Sequence, residues 1–250
     1  MQLNMKKLII LALVTCALGC KQKDQKAEAG EAKKEPVMET LPKDWVTLFD
    51  GTSFDGWHEY LAQGVSEHWK LEDGAMVFYP PAERHGKSFN LVTDKEYTNF
   101  VLSLEWKVSE ASNSGIFWGV FEDAKYGQPY ETGPEIQVLD NIAHPDAKAG
   151  TTHQAGALYD MIAPSKEVVK PVGQWNLCII TIDHERNIGS VRLNGQNIVE
   201  FPVHGEEWDA MVAKSKFADW EGFGKYQTGK IGLQDHGDVV AYRNIKIKEL

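Results

Sequence analysis

Short runs rich in β-branched and aromatic residues recur along this chain, at 45–49, 69–71, 76–79, 100–108, 115–121 and 135–139, then at 175–182, 190–193, 198–201, 231–233 and 239–247. Gly, Pro, Asn and Asp separate them, and no helix-length patterns alternate with them. This spacing constrains the fold most, because strands without crossover helices between them pair as an all-β sandwich or barrel. Asn194-Gly195 lies between two of the runs and predicts a two-residue hairpin, since both residues tolerate the positive φ such a turn needs. One helix is expected at 206–217. There Trp208, Met211, Val212 and Phe217 form an apolar stripe, with acids early and Lys214 and Lys216 late, as the helix dipole prefers. A single domain over residues 43–250 suits a sandwich of this kind.

Residues 1–20 read as an export signal: Lys6 and Lys7, an apolar run at 8–18, then Ala17-Leu18-Gly19-Cys20. The run is too short for an ordinary membrane-spanning helix. Gly19-Cys20 resembles a bacterial lipobox, with Ala17 where Leu is commoner. The resemblance implies a lipid on Cys20 and anchorage in the bacterial cell envelope, periplasmic or outer-surface. An ordinary cleaved secretory signal is the alternative. Residues 21–42, rich in Lys, Glu, Gln and Ala, read as a disordered tether. Cys178 has no internal partner, so no disulfide framework exists. Its neighbours Leu177, Ile179 and Ile180 make it a small buried hydrophobe. The chain carries −10, and loss of residues 1–20, with two lysines and no acid, deepens that to −12. Such a balance argues against a nucleic-acid partner and is compatible with neutral sugars.

The stretch 134–153 carries the clearest site signal. Glu135 and Gln137 alternate with Ile136 and Val138, so they share one face of a strand. The following loop holds Asp140, Asn141, His144, Asp146 and His153, in the kind of position where function often sits. Asp140 and Asn141 equally suit turns that shape the loop. On the run 100–108, Leu102, Leu104, Trp106 and Val108 belong to the core and Glu105 to the outer face. If that strand lies beside Glu135, three polar groups converge on one sheet surface.

At this point the motifs become recognisable. Phe49-Asp50-Gly51, Leu104-Glu105-Trp106-Lys107, Asn113-Ser114-Gly115-Ile116-Phe117 and Gly133-Pro134-Glu135-Ile136-Gln137-Val138-Leu139-Asp140-Asn141 resemble the 3-keto-disaccharide hydrolase domain family. So do Ala155-Gly156-Ala157-Leu158-Tyr159-Asp160 and Gly232-Leu233-Gln234-Asp235-His236-Gly237, and the resemblance covers nearly all of 43–250. It implies a concanavalin A-like jelly-roll β-sandwich, here with a short peripheral helix, and an exported bacterial enzyme acting on glycosides oxidised at carbon 3. Fold alone does not guarantee that substrate.

A ketone at carbon 3 acidifies the proton on carbon 2, so the glycosidic bond can break by elimination, with or without later hydration. The route needs a base, a stabiliser for the enolate oxygen and an acid for the leaving group. Glu135 and Glu105 are candidate bases, and His236 and His144 are candidate acid–base groups. Gln137, Asp140, Trp118, Tyr159 and Lys170 are candidate substrate-binding residues, with Trp118 and Tyr159 as stacking platforms. Arg243 is a further cation. Glu135, His144 and His236 form a candidate divalent-metal set, although their spacing matches no short metal signature. Two other functions remain open. A glycan-binding lipoprotein without catalysis would use the same face. A conventional glycosidase would need a second carboxylate where Gln137 stands.

Overall fold

The computed structural model describes residues 44–250. The proposed export signal, Cys20 and the proposed tether lie outside the described residues. In chain order the elements begin with β1 (Val46–Phe49), β2 (Trp57–Glu59), β3 (Trp69–Glu72), β4 (Ala75–Phe78) and β5 (Leu91–Thr93). The central strands are β6 (Phe100–Val108), β7 (Asn113–Val120), β8 (Glu135–Leu139) and β9 (Asn176–Asp183). Then come β10 (Ile188–Leu193), β11 (Gln196–Phe201), α1 (Gly205–Val212), β12 (Lys230–Leu233) and β13 (Val240–Glu249).

Two antiparallel sheets face each other, as the run spacing predicts. One has the order β11-β10-β9-β6-β13-β4-β3, with β1 also on β13, and the other is β2-β5-β12-β7-β8. β4 takes Val240–Tyr242 and β1 takes Ile245–Ile247. Between them the register slips at Asn244, whose φ is 53°. Leu102, Leu104 and Trp106 of β6 meet Ile116 of β7 and Ile136 and Val138 of β8 in one buried cluster. Each such side chain contributes roughly 2 kcal/mol by leaving water. The alternation read from β6 therefore holds. Strands β2 and β5 escape a sequence reading because three residues cannot display a period.

The hairpin between β10 and β11 turns on Asn194 and Gly195, with φ of 48° and 85°. Helix α1 is shorter than the stripe predicts. It buries Trp208 and Val212, then ends where the Ser215 hydroxyl donates to the Val212 carbonyl at 2.8 Å. Phe217 is still buried, stacked on Phe223 with ring centroids 3.9 Å apart, but from a loop. Cys178 is buried and its thiol is pushed up to about 12 by that burial, which suits an inert hydrophobe.

Every residue of β7 and β8 is buried, so the small sheet is covered on both faces there. The segment 156–159 runs along the free edge of β8. Gly156 N–H donates to Gln137 O, Gln137 N–H to Ala157 O, and Tyr159 N–H to Glu135 O, at 2.8–3.0 Å. This closes an edge that would otherwise offer unpaired backbone groups, and it carries Tyr159 beside Glu135.

Candidate active site

A cleft of about 400 Å³ opens on the outer face of the small sheet, lined by Glu135 and Gln137 of β8 and Asn113 of β7, with Gln234 and His236 beyond β12. Tyr159, Lys216 and Trp220 also line it, as do Arg84, Lys87 and Tyr130. Because Ile136 and Val138 point into the core, the period of two sends Glu135 and Gln137 outward into this cleft.

Glu135 lies over Gly115. A Cβ at that glycine would stand 2.1 Å from Glu135 Oε1. Glu135 is 7% exposed, and burial pushes its pKa up to about 7. The positive charges of His236 and Lys216 oppose that rise. His236 itself is held above its ordinary value, chiefly by the Asp238 carboxylate 3.9 Å from Nδ1, with Glu135 adding to the effect. Asp238 is in turn fixed by the Asn113 N–H at 3.1 Å. A carboxyl pushed up to about 7 and an imidazole held above its ordinary value are each suited to giving or taking a proton near neutrality.

Two buried acceptors in the cleft, Asn113 Oδ1 and Gln234 Oε1, have no hydrogen-bond partner among the described residues. Each costs about 1–3 kcal/mol when left bare, so a ligand rich in hydroxyl donors would bind them favourably. Gln137 Oε1 accepts from the Val138 N–H at 2.9 Å, which leaves its NH2 group to donate elsewhere. Asp235 is a strut: it accepts from Arg84 at 2.6 Å and from the Phe89 N–H. Trp220 and Tyr130, with ring centroids 5.9 Å apart, supply aromatic surface in the same cleft.

Ligand atoms of His144, His236 and Asp238 lie within 4.8 Å of one another, close enough to consider an ion. However, His144 Nδ1 accepts the Asp146 N–H at 3.1 Å as the cap of a short 3₁₀ turn. That bond puts the ring proton on Nε2, so ligation through Nε2 would require the cap to break. Burial, and then the charge of His236, lower the His144 pKa and favour its neutral form. Glu135 is absent from this cluster, so the set expected from sequence is not the set the fold assembles.

Several expected site residues lie elsewhere. Glu105 is on β6 in the large sheet, so it does not neighbour Glu135; it pairs with Arg243 at 2.8 Å and with Asn244. Trp118 points into the core, 5% exposed and packed on Phe201, because β7 residues alternate and Gly115 and Phe117 take the outer face. Lys170 donates to the Trp175 carbonyl at 2.9 Å and lines a different groove. Asp140 lines that other groove too, and shapes its loop by accepting the N–H groups of Ala111 and Ile142 at 3.0 and 2.9 Å. Glu135, Gln137, Tyr159 and His236 do converge, and His144 stands behind His236 with ring centroids 5.8 Å apart. Lys216, Trp220, Asn113 and Asp238 had no site signal in the sequence. Lys216 falls in the expected helix pattern, and Asn113 stands in a family motif with no role of its own.

These features define a concanavalin A-like jelly-roll sandwich with a cleft on its smaller sheet that holds Glu135 and His236. Residues 44–248 match the 3-keto-alpha-glucoside-1,2-lyase-like domain family, and the chain belongs to it. It is similar to a 3-keto-disaccharide hydrolase of Bacteroides thetaiotaomicron, 34% identical over 280 aligned positions covering 95% of this chain and 94% of that one. A crystal structure of a proposed glycosyl hydrolase from Parabacteroides distasonis ATCC 8503 is 33% identical, with a TM-score of 0.75, over 83% of this chain and 94% of that one. An endo-beta-1,3(4)-glucanase from family GH16 shares the fold alone, at 13% identity and a TM-score of 0.50, over 84% of this chain and 96% of that one.

Proposed function

We propose that this protein is a glycoside-cleaving enzyme acting on sugars oxidised at carbon 3, by proton abstraction at carbon 2 and elimination. The observation that carries the proposal is Glu135 buried in the cleft, its pKa pushed up to about 7 by that burial against the charges of His236 and Lys216, beside two acceptors without a partner among the described residues. Glu135 takes the carbon 2 proton. The enolate oxygen that forms at carbon 3 is stabilised by the imidazolium of His236, with Lys216 adding positive charge. The carbon 1–oxygen bond then breaks, and water adds to the unsaturated sugar or the sequence stops at the eliminated product. Asn113, Gln137 and Gln234 bind sugar hydroxyls.

The names borne by the family and by the Bacteroides relative support this substrate class. The cleft chemistry supports it independently, because ordinary glycoside hydrolysis needs two carboxylates flanking the bond. Here Gln137 stands two residues from Glu135 on the same face, and Asp235 is occupied by Arg84 and the Phe89 N–H.

The purified domain is expected to turn over methyl 3-keto-α-glucoside and to leave methyl α-glucoside intact, read by product chromatography. Binding without turnover would turn the protein into a lectin, and activity confined to the unoxidised sugar would remove the elimination route. We also place the protein in the bacterial envelope through a lipid on Cys20. Cys20→Ala is expected to abolish palmitate labelling and to move the protein from the membrane to the soluble fraction; unchanged fractionation would refute the anchor.

A further inference from the structure

One cluster beside the cleft is not used by the chemistry above. The Tyr159 hydroxyl donates to Asp146 Oδ2 at 3.0 Å. His153 Nδ1 faces Asp146 Oδ1 at 2.8 Å, and His153 Nε2 faces Asp160 Oδ1 at 3.0 Å. Both ring nitrogens meet carboxylate oxygens, and a neutral imidazole has only one N–H. Both hydrogen bonds form together when each ring nitrogen carries a proton or when one of the carboxyl groups supplies it. Asp160 adopts a left-handed backbone, φ 61°, which costs a non-glycine residue roughly 1 kcal/mol. It spans the His153 ring and the Lys216 N–H, 2.7 Å from Oδ2. The result is a continuous chain from Asp160 through His153 and Asp146 to a phenol in the wall of the cleft that holds Glu135.

We propose that Tyr159 is the acid that protonates the departing glycosidic oxygen, and that His153 resupplies its proton through Asp146. This rests on the carbon 2 elimination reading. Once Glu135 has taken the carbon 2 proton, the enolate re-forms the ketone, a carbon 1–carbon 2 double bond forms, and the carbon 1–oxygen bond breaks with its electron pair going to oxygen. The Tyr159 proton passes to that oxygen and forms the alcohol. His153 gives its Nδ1 proton to Asp146, which passes a proton to the phenolate; His153 then regains one from solvent, to which Glu135 releases the carbon 2 proton. Tyr159 suits an alkoxide leaving group, because burial and the Asp146 charge hold its phenol above the ordinary value. It stays protonated until a strong base forms beside it. Asp160 is a positioning residue that holds the His153 ring, and Asp146 carries the proton between that ring and the phenol.

Leaving-group dependence separates this role from mere loop architecture. Tyr159→Phe keeps the ring that stacks under Lys216, whose Nζ lies 4.1 Å from its centroid. The variant is expected to lose about 100-fold or more in kcat/KM on methyl 3-keto-α-glucoside. On 4-nitrophenyl 3-keto-α-glucoside, whose leaving group needs no acid, it should lose less than about fivefold. His153→Gln is expected to show the same split with a smaller loss. Equal losses on both substrates in Tyr159→Phe would overturn the acid role. Wild-type inactivity on both would overturn the elimination reading, and this inference with it. Loss on both in Glu135→Gln, alongside the split in Tyr159→Phe, would support the two roles separately.

Discussion

Glu135→Gln is expected to lower turnover of 3-keto-glycosides by about a thousandfold while leaving substrate affinity within a few-fold. Gln fills the same space over Gly115 but cannot accept the carbon 2 proton. Wild-type activity should rise with pH through about 7, as the carboxylate forms, and fall again as His236 loses its proton above its raised pKa. Stability should move the other way. Glu135 binds its proton more tightly in the folded protein, at about 7, than at the ordinary value of 4.5. Its contribution is therefore complete below pH 4.5 and is lost as pH rises through 7. The difference amounts to about 3 kcal/mol at most, so the Gln variant should melt above wild type at pH 8 and near it at pH 4. Single-turnover kinetics and melting curves at the two pH values check both. Retained turnover, or equal melting differences at both pH values, would remove Glu135 from the role of buried base.

Gly115→Ala should be almost as damaging, although it changes no functional group. The new Cβ would stand 2.1 Å from Glu135 Oε1, 2.6 Å from Cδ and 2.8 Å from Cγ. The glycine has no left-handed φ to lose, so the whole effect is displacement of the carboxylate. A shift on the order of 1 Å at a catalytic group costs about 100-fold in kcat/KM. Overpacking should cost about 1–3 kcal/mol of stability, measurable by urea unfolding. In a Gly115→Ala, Glu135→Gln double variant, the activity losses should fail to add, because both act on one group. Additive losses, or a single variant retaining more than about a tenth of wild-type activity, would show that Gly115 does not set the place of the base.

Glu105 illustrates how far a period of two can reach. The alternation in β6 correctly put Trp106 inside and Glu105 outside, since each is decided by the dihedral repeat of one strand. It could not say which of two outer faces Glu105 would occupy. Strand order placed β6 between β9 and β13, away from β8. Trp118 failed for a related reason: a large aromatic beside site motifs suits a sugar platform and a core position equally well until its face is known. Trp220, outside every strand, took the cleft position instead.

Local chemistry was legible in the chain before any fold was known: the antiparallel runs, the Asn194-Gly195 hairpin, the outward pairing of Glu135 with Gln137, and the buried thiol of Cys178. These follow from torsional preferences and side-chain periods that act over a few residues. The family motifs added the jelly roll and the expectation of a keto sugar. Only the folded chain brought His236, Lys216 and Asn113 to Glu135, and only stacking of loops over the small sheet removed water from that carboxylate. Proximity and desolvation depend on which distant segments pack together, so the placement of the site and its acid–base balance belong to the tertiary structure.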